Sequence, residues 1–124
     1  RVNEKSAYLY EPLHPAVIRL VGQVIEAAHA QGIWVGMCGE MAGDVHAVPI
    51  LLGLGLDEFS VSPAMVPEIK KLIRSLKLPE VRALAKKTLG YRAASEIRSE
   101  AQKFLAAVAP ALLEWETGRA DKGQ

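Results

Sequence analysis

The feature that most constrains the fold is an alternation of helical and extended apolar patterns in the first 76 residues. Helices show apolar residues every three or four positions, whereas short runs of β-branched and aromatic residues are typical of strands. These patterns predict helix, strand, helix, strand and helix at 15–31, 33–37, 44–52, 58–61 and 66–76. Strands that alternate with helices pair in parallel, because short hairpins cannot connect parallel neighbours. The sequence therefore predicts an α/β fold.

Local signals set the expected ends of these elements. Pro15 suits the first turn of the first helix and Gly32 suits its stop. Asp44 is expected to cap the second helix, which would begin near His46 and end at Gly53. Two further helical faces follow, the first with Val81, Leu84, Ala85 and Thr88 and the second with Ile97, Ala101, Phe104, Leu105, Val108 and Leu112. Pro110 is expected to kink or restart the last helix.

Two predicted strands are too few for a complete parallel sheet, which needs cover on both faces and neighbours at both edges. The remaining strands are expected upstream, and Arg1 in place of Met agrees with a start inside a longer polypeptide. The mean hydropathy of +0.12 also agrees with apolar surface that faces missing neighbours.

Charge and composition exclude several classes of function. The chain has 15 basic and 14 acidic side chains, so it lacks the basic surface typical of nucleic-acid or anionic-membrane binding. Its longest uncharged apolar run, Val45–Leu56, is about half of what a bilayer requires. The single cysteine cannot form an internal disulfide and suits a reducing compartment. We therefore expect a soluble, cytoplasmic protein.

Glycines are concentrated around that cysteine. Five of the ten glycines lie within 20 residues of sequence, namely Gly36, Gly39, Gly43, Gly53 and Gly55. The segment Gly36–Glu40 is expected where the first strand ends, which is the end of an α/β sheet where ligands bind. Cys38 would then point into a site. From spacing alone, an inert buried cysteine remains the more frequent alternative.

A family resemblance strengthens the hypothesis of a site. The segments GMCGEMAGD (36–44) and LGLGLDEFS (52–60) closely resemble the C-terminal region of Enzyme I, the phosphoenolpyruvate-protein phosphotransferase of the bacterial sugar phosphotransferase system. The likeness runs from Arg1 to about Leu76 and includes Asn3, Tyr8-Leu9-Tyr10, Pro12 and 27–32. Pyruvate phosphate dikinase and phosphoenolpyruvate synthase share the Cys-Gly-Glu core, but the longer motif favours Enzyme I.

The resemblance implies a fold and two site residues. The chain would be the C-terminal fragment of a TIM-type β/α barrel that binds phosphoenolpyruvate. Cys38 would exchange a proton with the methylene carbon when enolpyruvate and pyruvate interconvert, and Arg1 would bind the phosphoenolpyruvate anion. A thiol can release and recover a proton, and arginine presents a planar fork to phosphate or carboxylate oxygens.

Other candidate residues have weaker support. Glu40 could orient the loop or line the site, but a solvated or helix-capping carboxylate explains it at least as well. His14, His29 and His46 lack metal-ligand spacing with Cys38 and are expected to be structural or surface histidines. No metal ligand is assigned in this chain.

The resemblance also implies what the rest of the protein would supply. The Mg²⁺ ligands, the phosphohistidine domain and the domain that binds the histidine-containing phosphocarrier protein would lie upstream, so the fragment alone would be inactive. The expected divisions are 1–76 for the last βα units, 77–116 for helices that pack on the barrel and 117–124 for a disordered tail. Family members dimerise through the barrel, so a homodimer is expected, and a dimerisation or scaffold module remains the alternative to an enzyme fragment.

Overall fold

Helices and strands alternate in the computed structural model, which describes residues 10–111. The elements in that span are α1 (Pro15–Ala30), β1 (Gly36–Cys38), α2 (Glu40–Gly43), α3 (Ala47–Leu54), β2 (Glu58–Ser60), α4 (Val66–Ser75), α5 (Leu78–Thr88) and α6 (Ala94–Val108). A 3₁₀ turn, Pro63–Met65, leads into α4. No helix within 10–111 is long and apolar enough to cross a membrane.

The two strands are parallel neighbours. Met37 pairs with Phe59, and Cys38 pairs with Ser60. Met37 and Phe59 pack against the hydrophobic core, whereas Cys38 and Ser60 are exposed. The pairing confirms the predicted parallel α/β arrangement. It also brings the carboxyl ends of both strands to the same edge of the sheet.

The first strand lies further along the chain than predicted. The expected strand was 33–37, but Ile33 and Trp34 are 58% and 66% exposed and precede the ladder. The carbonyl of Val35 instead accepts the N–H groups of Asp57 and Glu58, at 3.0 and 3.3 Å. The chain is therefore bound to the loop before β2 at Val35, and the ladder begins one residue later. The second strand is close to the predicted 58–61.

The first helix begins and ends nearly as predicted. Pro15 is its first residue, and the side chain of His14 caps it by accepting the N–H of Ala16 at 3.2 Å. The helix ends at Ala30, and Gly32 turns the chain with a φ of +69°. The imidazole of His14 is thus engaged in a helix cap.

Helix α3, which corresponds to the second helix predicted from the sequence, ends later than expected. Gly53 was expected to stop it, but the helix continues to Leu54 and ends at Gly55, which has a φ of +100°. Gly53 instead allows α5 to approach closely, since a Cβ at this position would clash with the backbone of Val81. At the other end, His46 occupies the cap position of α3, and no side chain caps the helix there. Asp44, the expected cap, instead accepts the N–H of His46 with its side chain and the N–H groups of Ala47 and Val48 with its carbonyl.

The last two described helices pack on the α/β part. Gly53 on α3 contacts α5, while Leu105 on α6 lies in a buried cluster with Val48 and Leu72. Helix α6 is interrupted at Ala109 and helical geometry resumes at Pro110, in agreement with the predicted effect of that proline. The predicted tail, 117–124, lies outside the described residues.

Candidate functional site

The carboxyl edge of the sheet carries the predicted site. Cys38 is the last residue of β1 and Ser60, its partner in the ladder, is the last residue of β2. The Cys38 thiol is free and exposed. It is therefore accessible to a ligand bound at this edge, which is the position expected for sites in parallel α/β folds.

Gly39 determines how the chain leaves β1. Its φ of 91° and ψ of −173° lie in a region that side chains with a Cβ rarely adopt. A Cβ at Gly39 would meet no atom within 4 Å, so backbone geometry rather than lack of space requires glycine here. The sharp turn starts α2 directly after the thiol and places Glu40 at the first position of that helix.

An open cleft of about 410 Å³ begins at Gly39, the residue after Cys38. Its lining residues come from the turn after β1 and from the segment after β2, and they are Gly39, Glu40, Gly43, Ser60, Val61, Ser62 and Met65. Cys38 directly precedes this lining. The serine hydroxyls can donate hydrogen bonds to anionic oxygens. The described part of the lining has no lysine or arginine, so it supplies no positive charge of its own.

Tyr10 holds the Glu40 carboxylate. The phenol hydroxyl donates a hydrogen bond to Glu40 Oε2 at 2.7 Å, on the exposed surface of the site. This hydrogen bond, followed by the loss of hydration and by the negative charges of Glu40 and Asp44, raises the pKa of Tyr10 above its usual value. Glu40 therefore has a defined partner. Sequence reasoning missed the pair because 30 residues separate its members.

Each of the three histidines contacts a group other than the thiol. His14 caps α1, and His29 Nε2 lies 2.7 Å from Asp57 Oδ2, near the amino ends of the strands. His46 Nδ1 lies 3.4 Å from Asp44 Oδ1. These contacts support structural roles for all three. Arg1, the second predicted site residue, lies outside the described residues.

The described residues do not fit a magnesium site. Within residues 10–111, no group of three or more His, Cys, Asp or Glu side chains is arranged to hold a metal ion. The two carboxylates that follow Cys38 in sequence already accept hydrogen bonds, Glu40 from Tyr10 and Asp44 from the N–H of His46. No chemical step is therefore assigned to a metal in this part of the chain.

A larger cavity, of about 690 Å³, lies among the helices and not at the carboxyl ends of the strands. Its lining includes Arg19 on α1, Gly53 on α3 and Arg82 on α5. None of its lining residues belongs to β1, β2 or the turn after Cys38. We place the candidate site at the smaller cleft, because ligands of parallel α/β folds bind at the carboxyl ends of the strands.

The geometry defines a class of protein, and the comparisons with known proteins identify the family. The ligand sites of α/β barrel proteins lie in the loops at the carboxyl ends of parallel strands, where this chain has an accessible thiol and a glycine turn. Residues 1–78 match the PEP-binding domain of the PEP-utilising enzymes. This chain belongs to that family, and it contains part of the phosphoenolpyruvate-binding barrel domain.

Individual relatives agree with the family match. The chain is similar to the phosphoenolpyruvate-protein phosphotransferase of Staphylococcus carnosus, with 52% identity over 97 residues, or 78% of this chain and 17% of the relative. The Haemophilus influenzae protein of the same name is 50% identical over 105 residues, or 85% and 18%. The chain thus spans less than a fifth of the length of these relatives. The resemblance to Enzyme I found in the sequence is confirmed.

Proposed function

We propose that this chain forms part of an Enzyme I phosphotransferase, in which Cys38 donates a proton to enolpyruvate. The observation that carries the proposal is the position of the thiol, which is free and exposed on the last residue of β1, directly before the cleft-lining residue Gly39. The 52% identity to a phosphoenolpyruvate-protein phosphotransferase supports the substrate class.

The proposed chemistry has two parts. A histidine elsewhere in the complete polypeptide attacks phosphorus, so that an N–P bond forms and the bond between phosphorus and the enol oxygen breaks. The resulting enolate then takes the thiol proton of Cys38 at its methylene carbon, which becomes the methyl group of pyruvate. The thiolate recovers a proton from water. General acid catalysis of this kind typically contributes about 10²- to 10⁴-fold to a rate.

The surrounding residues suit the second part. The turn at Gly39 leaves the end of β1 open, and the hydroxyls of Ser60 and Ser62 can bind carboxylate or enolate oxygens. Since the described cleft lining carries no cation, the phosphate and carboxylate charges require groups from other segments. We propose Arg1 as one of them, because its guanidinium can bind two anionic oxygens at once.

Other functional groups are proposed for the rest of the polypeptide. Members of the family generally use Mg²⁺, whose ligands we place upstream together with the phosphohistidine and carrier-binding domains. We retain 1–76 as the last barrel units, 77–116 as helices that pack on them and 117–124 as a tail. The physiological form would be a cytoplasmic homodimer. Residues 1–124 alone would not convert phosphoenolpyruvate.

Two alternatives remain, with unequal support. The family match alone is also compatible with a pyruvate phosphate dikinase or phosphoenolpyruvate synthase barrel. The relatives from Staphylococcus carnosus and Haemophilus influenzae are, however, phosphoenolpyruvate-protein phosphotransferases. A dimerisation or scaffold module is favoured by the apolar outer face of α1, where Leu20 and Val24 are 61% and 52% exposed. The same face would be covered by other barrel segments in the enzyme.

Phosphate transfer in the complete polypeptide tests the proposal. Protein incubated with ³²P-labelled phosphoenolpyruvate and Mg²⁺ should acquire acid-labile label on histidine, and a histidine-containing phosphocarrier protein should remove it. Stable label would argue against histidine, and label that the carrier leaves in place would argue against the phosphotransferase. The absence of any label would contradict the proposed function and favour the scaffold.

A further inference from the structure

Helix α2, which follows the Cys38 turn, is a single turn of four residues, Glu40–Gly43. A helix of this length has little stability of its own, because nucleation costs more than one turn of hydrogen bonds returns. Ala42 within this helix is fully buried, whereas Gly39 and Glu40 at its start are exposed. The position of the loop at 39–44, which directly follows Cys38, therefore depends on contacts made with other segments.

Side-chain hydrogen bonds hold α2 at both ends, one from the distant Tyr10 and one within the segment that follows the helix. At its start, the Tyr10 hydroxyl donates to Glu40 Oε2 at 2.7 Å. At its end, the side chain of Asp44 accepts the N–H of His46 at 2.9 Å. Each end is thus fixed by a carboxylate, so the placement of the loop depends on what holds these two acidic groups and their partners.

Arg98 on α6 links both attachments. Its Nη2 donates to Glu11 Oε1 at 2.9 Å and lies 3.7 Å from Asp44 Oδ2. Glu11 directly follows Tyr10, and the same Oε1 accepts the N–H of Leu13 at 3.0 Å. One guanidinium therefore connects α6 with the segment before α1 and with the residue that closes α2.

Because Asp44 is partly buried, its charge depends on its neighbours. The Asp44 side chain is only 18% exposed, and burial alone would raise its pKa. The hydrogen bonds from His46, followed by the positive charge of Arg98, outweigh burial and hold the pKa of Asp44 below its usual value. A partly buried carboxylate that loses a neighbouring cation tends to move towards water. Removal of Arg98 would therefore release the end of α2.

We propose that Arg98 is a positioning residue for the loop at 39–44, which follows Cys38, and that it couples helix α6 to the candidate site. Arg98 lies beyond residues 1–78, which match the family model. Its effect on the loop does not depend on any reaction. Only its expected effect on turnover rests on the proposed function.

The single cysteine, directly before the loop, allows the mobility of the chain at this position to be measured. A nitroxide attached to Cys38 labels one position in the chain of 124 residues, and its electron paramagnetic resonance line shape reports local mobility. We expect Arg98→Met to shorten the rotational correlation time of the label by about twofold or more. Arg98→Lys, which keeps the charge, should recover most of the wild-type value. Arg92→Met, which removes an exposed arginine close to α6, should leave the spectrum unchanged.

A merely structural role predicts a different result. Arg98→Met would then lower the unfolding midpoint but leave the line shape unchanged at a temperature where circular dichroism shows a folded chain, and that outcome would overturn the proposal. If Arg98→Met does not fold, Glu11→Gln decides the matter, because it weakens the same link and keeps the shape of the side chain. An unchanged spectrum for folded Glu11→Gln would then overturn it.

Turnover in the complete polypeptide gives an independent result. Arg98→Met should lower kcat by about tenfold and change KM little, since misplacement of an acid by a fraction of an ångström raises the barrier more than it weakens binding. Rescue by Arg98→Lys is expected. A mobile label combined with wild-type kcat would overturn the catalytic part of the inference. An inactive wild-type protein whose label responds to Arg98→Met would contradict the proposed function alone and support the positioning role.

Discussion

His29 Nε2 and Asp57 Oδ2 lie 2.7 Å apart, and the same carboxylate oxygen accepts the N–H of Val35 at 2.8 Å. The N–H of Asp57 in turn donates to the carbonyl of Val35 at 3.0 Å. These contacts join α1 to the amino ends of both strands, at the edge opposite Cys38. In α/β barrels that edge serves stability, whereas the carboxyl edge serves chemistry.

This arrangement predicts a pH-dependent contribution to stability. The hydrogen bond from His29, followed by that from Val35, lowers the pKa of Asp57. A carboxyl with a lowered folded-state pKa stabilises the fold above its unfolded pKa of about 4 and loses that effect as pH falls through the folded value. Asp57→Asn should therefore lower the urea midpoint at pH 7 and differ less from wild type near pH 3.

Chemical denaturation monitored by circular dichroism at several pH values measures this difference. Glu26→Gln is the matched control, because Glu26 is an exposed carboxylate on α1, one turn before His29. This variant should change the urea midpoint little at either pH. An equal loss of stability for Asp57→Asn at pH 7 and pH 3 would contradict the electrostatic explanation.

Replacement by alanine should change the stability of the fold in opposite directions at two glycines. At Gly53 a Cβ would clash with the Val81 carbonyl and lie 2.8 Å from Ala85 Cβ. Overpacking of this kind typically costs about 1–3 kcal/mol, which outweighs the gain of up to about 1 kcal/mol from helix propensity. At Gly22 the nearest atom is Leu54 Cδ2 at 3.4 Å, so alanine should stabilise α1. Thermal unfolding of both variants checks the prediction, and a stabilised Gly53→Ala would contradict the close packing of α3 and α5.

The ends of the helices were largely predictable, whereas their tertiary partners were not. Pro15 and Gly32 mark the first helix because fixed or left-handed backbone angles belong at such positions whatever surrounds them. Gly53 was misassigned because a glycine that ends a helix and one that admits a neighbouring helix look alike in sequence. The strand shift has the same origin, since the hydrogen bonds of Val35 with the segment before β2 decide where pairing begins.

The candidate site divides in the same way. Cys38 was selected because a glycine-rich motif after a predicted strand is a local signal and because that motif resembles Enzyme I, and its catalytic role stays a prediction. Arg98 was not found, because its contact with Glu11 joins residues that are 87 positions apart and an arginine on an amphipathic helix is ordinarily solvated. Contacts between distant polar side chains leave no periodic trace in a single sequence.

The isolated chain of 124 residues should associate with itself and fail to transfer phosphate. In the described residues the sheet has two strands, and their outer edges have no strand partners. Open edges and the exposed apolar face of α1, with Leu20 and Val24, favour pairing with another copy. Light scattering after size exclusion measures the mass. A folded monomer at micromolar concentration that also transfers phosphate from phosphoenolpyruvate would contradict both expectations.

Arg1→Ala in the complete polypeptide should mainly weaken phosphoenolpyruvate binding. Loss of a charge-assisted contact costs about 1.5–3 kcal/mol, or about ten- to a hundredfold in affinity. Titration calorimetry measures the change, and Arg1→Lys should recover only part of it because lysine lacks the bidentate fork. Wild-type affinity and turnover in the alanine variant would show that this arginine does not contact the substrate.

The proton donor role of Cys38 is the central claim, and one paired measurement on Cys38→Ala in the complete polypeptide tests it most directly. Because a missing acid raises the barrier and leaves ground-state contacts in place, pyruvate formation should fall by at least about a hundredfold while the calorimetric Kd for phosphoenolpyruvate stays within about threefold. Cys38→Ser, which keeps the size of the side chain, should show the same loss and so assign it to the thiol. Wild-type pyruvate formation by the alanine variant would remove Cys38 from the mechanism.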